Sequence, residues 1–486
     1  MSVLDRDRPQ TIDCEGPAHP RPRRFDDMRP PLSTELLAPL DLAFWHLESD
    51  AHPMHLGALA VFAPAPGVGP GRILELLGSR AAAIPRLRMS VRDVLLPVGG
   101  KAWTVDKDFD VHRHVERVVV ADADFMAGAT RLAGELMERP LGRGLPPWRM
   151  YLICGADGGP FAVLVKLHHA LADGMRAVAI GAGIFDEIAA VTSARTAARG
   201  RTAVPPRSWL PDPREMAGMA LGRIGEVGRA LGVGASVVRA GRLDRWGPSA
   251  LTAPSSGTRR LATADLDAGD LRRIRRAEGG TANDILLAVV AGALRRWMAE
   301  RGDSLPAADP RALVPVSRRR PGGATASGNR LSAYLLGLPV TAADPRERLR
   351  AVRSAMDRNK AAGPLKGAGA VAVLADQLPP LAHRFGAPLA ANAARLLFDV
   401  LVTSVPLPRS ALSLGGCPLT ALYPMAPLAR GQSLAVALST YGGRVHVGLV
   451  ADGKALPDLD RLAAAVEDEF TELYALVTGT DRTPVS

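Results

Sequence analysis

The chain has 486 residues, a length that favours two domains, because a single hydrophobic core rarely grows beyond about 300 residues. Its 47% hydrophobic and 22% charged residues are typical of a globular protein, and without an apolar stretch of about 20 residues we expect no membrane-spanning helix. The net charge of +11 is compatible with an anionic membrane surface or a phosphate-bearing cofactor. Because the basic residues are scattered and no recognition motif accompanies them, we expect no nucleic-acid partner.

Cysteine usage indicates a reducing compartment. Cys14, Cys154 and Cys417 lie far apart and form no C-x-x-C pair, so we expect neither a disulfide framework nor a zinc site. Residues 1–31 are charged and rich in proline, lack the apolar segment of a signal peptide, and are predicted to be a disordered tail. Residues 479–486 are predicted to be a second tail. We therefore expect a cytoplasmic protein.

The first half of the chain alternates predicted helices and strands. In chain order we predict a short helix within Leu36–Glu48, a strand at Pro53–Phe62, a helix at Gly71–Ile84, strands at Leu95–Val105 and Arg117–Val120, and a helix at Asp124–Met137. We interpret His46, His52 and His55 as surface or core residues, because no acidic residue lies at a useful spacing.

The stretch 161–174 carries the strongest chemical signal. Phe161–Leu167 is a short apolar run typical of a buried strand, and a helical apolar pattern begins at Met175. His168 and His169 follow the run, and because side chains alternate along a strand, only one of them can face a given cavity. Imidazole is suited to moving a proton at neutral pH.

Asp173 and Gly174 close the loop after the two histidines. Asp173 either caps the following helix or pairs with an arginine and braces the loop, and the sequence does not separate these roles. Gly174 permits a backbone turn or a close approach that a Cβ atom would obstruct.

The second half follows a change in composition. Residues 189–258 are rich in Arg, Ala, Gly, Pro and Ser and are predicted to be a crossover linker. Beyond them we predict strands at Arg259–Ala262, Arg311–Ser317, Tyr334–Val340, Leu434–Ser439 and Arg444–Val450, and helices at Asp267–Ala277, Asp344–Lys360 and Leu459–Leu476. A strongly periodic helix opens near Asn283 and Asp284, where Thr281 or Asn283 fits an N-cap. The apolar stretch Val371–Val405 is either a buried helical pair or a segment that faces the membrane or lines the acyl site.

The arrangement His-His-x-x-x-Asp-Gly at a strand-to-helix junction is the signature of the CoA-dependent acyltransferase superfamily. From Leu32 to Leu473 the chain resembles one branch of it, the bacterial wax ester synthase/diacylglycerol acyltransferase family, which shares the opening PLD…LE and the strand PMH-G-L. The resemblance implies an α/β fold of two chloramphenicol-acetyltransferase-like domains, residues 32–188 and 259–478. Each would be a mixed sheet with helices, joined by the long crossover linker, with the active site in a tunnel between them.

The same resemblance implies further site residues. Asn283 and Asp284 match the family's Asn-Asp motif, which lies beside the histidine site. The family's Pro-Leu-Trp element near the acyl channel is only partly matched around Trp148, which is equally suited to a core. Thr403 and Ser404 match Thr-Asn-Val-Pro in part, since Ser404 replaces the usual asparagine.

The activity that this resemblance implies is transfer of a long-chain acyl group from acyl-CoA to diacylglycerol or a long-chain alcohol, giving triacylglycerol or wax ester. His169 would be the general base, His168 and Asp173 would hold the loop, and Asn283 or a nearby backbone N–H would stabilise the oxyanion. The sequence contains no G-x-S-x-G motif, which favours direct transfer over a covalent acyl-enzyme. Acyl-CoA would be a substrate, and we expect no permanently bound cofactor or metal.

Three alternatives remain at this point. The same fold could serve another acceptor, such as trehalose, a polyketide or a peptidyl group. The protein could instead coat lipid inclusions without catalysis, or hold a metal at its His and Asp residues, although no further ligand cluster is obvious. The basic run Arg318–Arg320 could meet CoA phosphates or simply be a solvated loop. We also expect peripheral contact with the inner membrane or with lipid inclusions.

Overall fold

The computed structural model describes residues 34–156, 158–172, 174–189, 249–317, 331–362 and 397–479. In this part of the chain the helices are α1 Pro39–Leu47, α2 Pro70–Ala83, α3 Phe125–Glu138, α4 Gly174–Ala182, α5 Ala268–Glu278, α6 Ala282–Glu300, α7 Pro345–Ala362 and α8 Leu459–Thr478. The strands are β1 Glu35–Leu36, β2 His55–Phe62, β3 Met89–Asp93, β4 Lys101–Val105, β5 Val115–Val120, β6 Trp148–Gly155, β7 Phe161–His168, β8 Arg259–Asp267, β9 Arg311–Ser317, β10 Leu331–Gly337, β11 Val400–Val405, β12 Ser413–Leu414, β13 Cys417–Met425, β14 Leu434–Tyr441 and β15 Arg444–Asp452.

The first large sheet has six strands in the order β12-β13-β2-β7-β6-β5. Its neighbours are antiparallel except β5 and β6, which run parallel. The central strand β7 is buried along its whole length. Val163 and Leu167 pack in a core with α2, whereas Ala162 and Leu164 pack in a second core with α3. Both faces of the strand are therefore covered, which explains why its sequence is an almost unbroken apolar run.

The second large sheet has the strand order β10-β9-β11-β14-β15-β8. Strand β11 runs parallel to both of its neighbours, and the remaining pairs are antiparallel. Helices α5 to α8 contribute side chains to one large core with the inward residues of this sheet, such as Val445, Val447 and Leu449. Helix α6 is buried over most of its length, which accounts for its nearly continuous apolar sequence.

A strand from the second half of the chain completes the sheet of the first half. Strand β13 pairs with β2 in antiparallel register, with Leu422 opposite Ala60. Where the two sheets meet, a Cβ atom on Gly448 would lie 2.1 Å from the carbonyl oxygen of Pro424. Glycine is therefore required for this close approach of β15 to β13. The two halves of the chain thus share a sheet. The domain limits predicted from the sequence stay a prediction.

A small third sheet, β1-β4-β3, includes a hairpin whose connecting residues are 94–100. The predicted strand at Leu95–Val105 is wrong in its first half, because only Lys101–Val105 is a strand. Leu95 is 90% exposed, and the sequence Pro-Val-Gly-Gly that follows Leu96 favours a turn over a strand. Strands β1, β3, β6, β11, β12 and β13 were not predicted. Residues 400–405, the end of the apolar stretch Val371–Val405, form strand β11 and not part of a helical pair.

Most other predicted elements of the described residues are confirmed within a few positions, and the fold is α/β with mixed sheets, as predicted. Several predictions lie outside the described residues: the tails 1–31 and 480–486, linker residues 190–248, the basic run 318–320, and residues 371–396. Among the described helices, none is both long and apolar enough to cross a membrane.

Candidate active site

A cavity of about 390 Å³ lies between the two large sheets. Its walls come from β2, β7, α4, β11 and the end of β13, and their side chains are almost all aliphatic, aromatic or proline. Three polar side chains interrupt this apolar lining: His169, Thr403 and Ser404. An apolar cavity with a few convergent polar groups is the usual form of a small-molecule site. All three residues were predicted as site residues from the sequence.

His169 is held by its backbone and by its ring. It follows directly after β7, and its N–H donates a hydrogen bond to the carbonyl oxygen of Met54 at 2.8 Å. The imidazole stacks on Phe44 of α1, with ring centroids 4.0 Å apart and planes inclined by 25°. The half-buried ring continues the face of β7 on which Val165 and Leu167 also line the cavity. Strand alternation therefore places His169, and not His168, at the cavity.

His168 lies behind the strand and is 1% exposed. Its Nδ1 accepts a hydrogen bond from the N–H of Ala170 at 2.9 Å. Because Nδ1 accepts a hydrogen bond, the hydrogen of His168 sits on Nε2. That atom faces Oε2 of Glu48 at 3.5 Å, and the ring packs against Trp45. These contacts fix the ring and its tautomer, and they suit a role in holding the loop.

Glu48 links two histidines, since its Oε1 also lies 3.4 Å from Nε2 of His55. Burial raises the pKa of the Glu48 carboxyl, but the adjoining imidazoles of His168 and His55 outweigh this effect and hold the pKa below its usual range. Burial lowers the pKa of His55 to about 4, against the opposing effect of Glu48. His55 is therefore neutral at pH 7, and its single hydrogen can serve either Glu48 or the carbonyl oxygen of Met137, but not both.

The sequence interpretation of His55 as a core residue is confirmed, but the expectation that no acidic residue lies at a useful spacing is wrong, because Glu48 contacts the ring. Glu48 was missed because folding, not spacing, brings it to the histidines. A signal was present in the sequence, since Glu48 is the glutamate of the PLD…LE opening shared with the family.

Strand β11 supplies the other two polar groups. Leu401, Thr403 and Val405 alternate along the strand and all line the cavity. The hydroxyl of Ser404 instead donates a hydrogen bond to Oδ1 of Asn283, the second residue of α6, at 2.9 Å. Asn283 is thus joined to the cavity wall through Ser404.

Asp284 forms a capping box at the start of α6. Its Oδ2 accepts a hydrogen bond from the N–H of Thr281 at 2.8 Å, and its own N–H donates to Oγ1 of Thr281 at 3.2 Å. The carboxylate is buried there and does not line the cavity. These contacts suit a helix cap.

Trp148 belongs to the core and does not line the cavity. The ring is fully buried, its Nε1–H donates to the carbonyl oxygen of Leu87 at 2.6 Å, and it stacks on His114. Of the two roles considered for Trp148, the structure supports that of a core residue.

Asp173 lies outside the described residues, and Gly174 is the first residue of α4. In the described ranges, no three His, Cys, Asp or Glu side chains are grouped closely enough to hold a metal ion.

Comparison with known proteins identifies the family. Residues 37–286 match the model of the wax ester synthase/diacylglycerol acyltransferase catalytic domain, and residues 327–474 match that of the C-terminal domain of the same proteins. The chain belongs to the wax ester synthase/diacylglycerol acyltransferase family. It is an acyltransferase, and the family predicted from its motifs is confirmed.

Two relatives and one structure illustrate this membership of the wax ester synthase/diacylglycerol acyltransferase family. The chain is 30% identical over 464 residues to the probable diacylglycerol O-acyltransferase tgs2 of Mycobacterium tuberculosis, covering 91% of this chain and 99% of the relative. It is 31% identical over 454 residues to tgs1 of the same organism, covering 90% and 96%. The structure of a wax ester synthase/diacylglycerol acyltransferase from Marinobacter aquaeolei VT8 shares the fold, with a TM-score of 0.65, 22% identity and coverage of 91% and 100%. The predicted two-domain acyltransferase fold is therefore confirmed.

Proposed function

We propose that this acyltransferase moves a long-chain acyl group from acyl-CoA to diacylglycerol or a long-chain alcohol, giving triacylglycerol or wax ester. The observation that carries the proposal is the apolar cavity with one imidazole, His169, on its wall. An apolar wall suits an acyl chain, because burying each CH₂ group contributes about 0.8 kcal/mol. The diacylglycerol O-acyltransferase names of the relatives support the same acceptor.

In the proposed reaction His169 takes the proton from the acceptor hydroxyl while that oxygen attacks the thioester carbonyl carbon. The tetrahedral intermediate then collapses, the carbon–sulfur bond breaks, and the leaving thiolate receives the proton from the imidazolium. The products are an ester and free CoA. Cys154 and Cys417 are both buried and neither lines the cavity, which supports direct transfer without a covalent acyl-enzyme.

The oxyanion needs a hydrogen-bond donor, and the geometry favours Thr403 for this role. Ser404 lines the same cavity, but its hydroxyl hydrogen is directed to Asn283. Thr403 lies on the cavity face of β11, and its hydroxyl has a hydrogen to donate. Asn283 would act indirectly, by fixing Ser404 and the end of β11. His168, with Glu48, would position the loop that carries His169.

The test of this function is the variant His169→Ala, assayed with palmitoyl-CoA and either hexadecanol or a diacylglycerol. Loss of a positioned general base lowers the rate about 10² to 10⁴-fold. The matched control is His112→Ala, which removes an exposed histidine outside the cavity and should keep the parental rate. Free-thiol release by folded His169→Ala at near the parental rate would refute the assignment of the base. A panel of acceptor alcohols in the same assay measures the acceptor preference.

We also propose that the protein works in the cytoplasm, bound peripherally to the inner membrane or to lipid inclusions. The acceptors named above are insoluble in water, so the enzyme must meet a lipid surface to collect them. The β3–β4 hairpin offers an apolar tip, formed by Leu95, Leu96 and Val98, with exposed fractions of 90%, 59% and 56%. Arg92 lies exposed beside it and suits anionic headgroups. Exposed apolar groups clustered at one loop are typical of a surface that binds lipid or protein.

A further inference from the structure

A second recess, of about 580 Å³, opens beside the cavity. It lies between α5, the start of α6, the segment after β11 and the turn between β14 and β15. Its charged lining residues are three arginines, Arg272, Arg275 and Arg409, and no acidic side chain lines it. We call this recess the arginine groove.

The three guanidinium groups of the arginine groove are exposed, and none of them forms an ion pair with a carboxylate in the described part of the chain. Other arginines behave differently, since Arg273 of the same helix pairs with Asp270 at 2.9 Å, and Arg301, beyond the far end of α6, pairs with Asp458 at 2.8 Å. Three like charges that converge without a counter-charge create a positive potential that attracts anions. Guanidinium groups in particular match phosphate oxygens, often in pairs of parallel hydrogen bonds.

The arginine groove is continuous with the apolar cavity. Pro408 lines both recesses. Ala282 lines the groove, and the next residue, Asn283, accepts the hydrogen bond from Ser404 of the cavity wall. The polar end of the cavity therefore adjoins the positively charged recess.

The turn between β14 and β15 leaves room in the groove. Gly442 and Gly443 have positive φ values of 58° and 82°, a conformation that favours glycine. A Cβ atom at either position would meet no heavy atom within 4 Å. Neither glycine is therefore crowded by neighbouring atoms, and the turn does not fill the recess of about 580 Å³ that it lines.

We propose that the arginine groove binds the phosphate-bearing nucleotide end of acyl-CoA. This inference rests on the proposed function and adds to it a separate subsite for the donor. The acyl chain occupies the apolar cavity, the thioester lies near His169, and the phosphates of the nucleotide end meet Arg272, Arg275 and Arg409 outside. A donor that lacks these phosphates gains no binding free energy from the groove.

The test compares two donors that differ only in the nucleotide end, palmitoyl-CoA and S-palmitoyl-pantetheine. The variants are Arg272→Gln, Arg275→Gln, Arg409→Gln and the triple variant, and the control is Arg276→Gln, an exposed arginine of the same helix outside the groove. A single exposed ion pair contributes little binding free energy. Each single variant should therefore lower kcat/KM for palmitoyl-CoA about threefold, and the triple variant should lower it tenfold or more. The rate with S-palmitoyl-pantetheine should not change, and Arg276→Gln should resemble the parental protein with both donors.

Binding of free CoA, measured by calorimetry, tests the groove without any turnover. The triple variant should bind CoA at least tenfold more weakly than the parental protein, and the difference should shrink as salt screens the charges. Equal affinity of both proteins for CoA, or equal losses with both donors, would overturn the proposal. Weakened CoA binding with no thiol release by the parental protein would support the groove and count against the acyltransferase function, so the two failures are distinguishable.

Discussion

The carboxylate of Glu48 lies 3.5 Å from Nε2 of His168, and Nδ1 of the same ring accepts the N–H of Ala170. The two contacts hold His168 from opposite sides, so its ring cannot turn without breaking one of them. Because His169 is the next residue, the same contacts also fix the backbone that carries the proposed base. Helix α1 positions the two histidines in two ways. It ends one residue before Glu48, and it provides Phe44, on which His169 stacks.

We predict that Glu48→Leu lowers both stability and activity, whereas Glu48→Gln largely preserves stability. Leucine leaves the Nε2–H of His168 buried without an acceptor, which costs about 1 to 3 kcal/mol, while glutamine keeps an acceptor oxygen. The measurements are urea unfolding and steady-state kinetics with palmitoyl-CoA. If Glu48 positions the loop, kcat should fall more than KM rises in the leucine variant. Equal stability and kcat in parental, glutamine and leucine proteins would show that the contact is unimportant.

The second prediction distinguishes the role of the Thr403 hydroxyl from that of the Ser404 hydroxyl. Thr403→Val removes a hydroxyl from the cavity wall without changing the shape of the side chain, and loss of an oxyanion donor should lower kcat about 100-fold. Ser404→Ala removes only the hydrogen bond to Asn283, so we expect a smaller loss, about tenfold or less. Single and double variants of Ser404 and Asn283 should then show non-additive losses. Thr403→Val with the parental kcat would exclude Thr403 as the donor.

The features that sequence predicts best here are local ones. The apolar run of β7 and the alternation of side chains are enough to predict that His168 and His169 lie on opposite faces of the strand. Both features depend only on neighbouring residues. Contacts between distant segments are different in kind. The approach of Glu48 to His168, and the pairing of β13 with β2, depend on how the sheets pack, and no periodicity in the chain encodes them.

Errors in the sequence predictions also have physical causes. The residues from Leu95 to Val98 look like the start of a strand because they are apolar, but they form an exposed turn closed by Gly99 and Gly100. Trp148 resembles a channel residue by motif, whereas its indole N–H is satisfied by a backbone carbonyl inside the core. A motif gives the identity of a residue but not the direction of its side chain.

The third prediction concerns acyl-chain length and Gly181. This residue of α4 lines the cavity, and a Cβ atom there would meet no heavy atom within 4 Å. Gly181→Leu should therefore fill part of the cavity, lowering kcat/KM for palmitoyl-CoA about tenfold or more while butyryl-CoA is still accepted. Gly181→Ala is the matched control, and it should stabilise the helix by about 1 kcal/mol. An unchanged chain-length profile in the leucine variant would show that the acyl chain lies elsewhere.

The fourth prediction concerns the apolar tip of the β3–β4 hairpin. Replacing Leu95 and Leu96 by serine removes two exposed leucines, each worth roughly 1.5 to 3 kcal/mol when buried in lipid. We expect at least tenfold weaker co-sedimentation with vesicles of phosphatidylglycerol, phosphatidylethanolamine and diacylglycerol. The double variant should keep the parental rate with a short-chain, water-soluble alcohol. Leu305→Ser is the control, since Leu305 is also exposed, at 38%, but lies outside the hairpin. Unchanged vesicle binding by the double variant would refute the tip as a lipid contact.

The last prediction concerns Lys166, a fully enclosed lysine of β7 on the same face as His168. Its Nζ donates hydrogen bonds to the carbonyl oxygens of Leu136, at 2.8 Å, and Arg139. Burial, with the nearby Arg149 guanidinium, lowers the pKa of Lys166 from 10.5 to about 7. In the unfolded chain the lysine keeps its proton up to about pH 10.5, so between pH 7 and that value the unfolded state binds more protons than the folded state. Stability should therefore rise with pH across this window.

The measurement is the free energy of urea unfolding of the parental protein and of Lys166→Met between pH 6 and pH 9. The difference between the two proteins should be flat below pH 7 and should then shift in favour of the parental protein by about 1 kcal/mol per pH unit. Lys107→Met removes an exposed lysine and should show no such slope. A difference that stays constant up to pH 9 would show that Lys166 remains protonated in the folded protein, held by the two carbonyl oxygens against the cost of burying its charge.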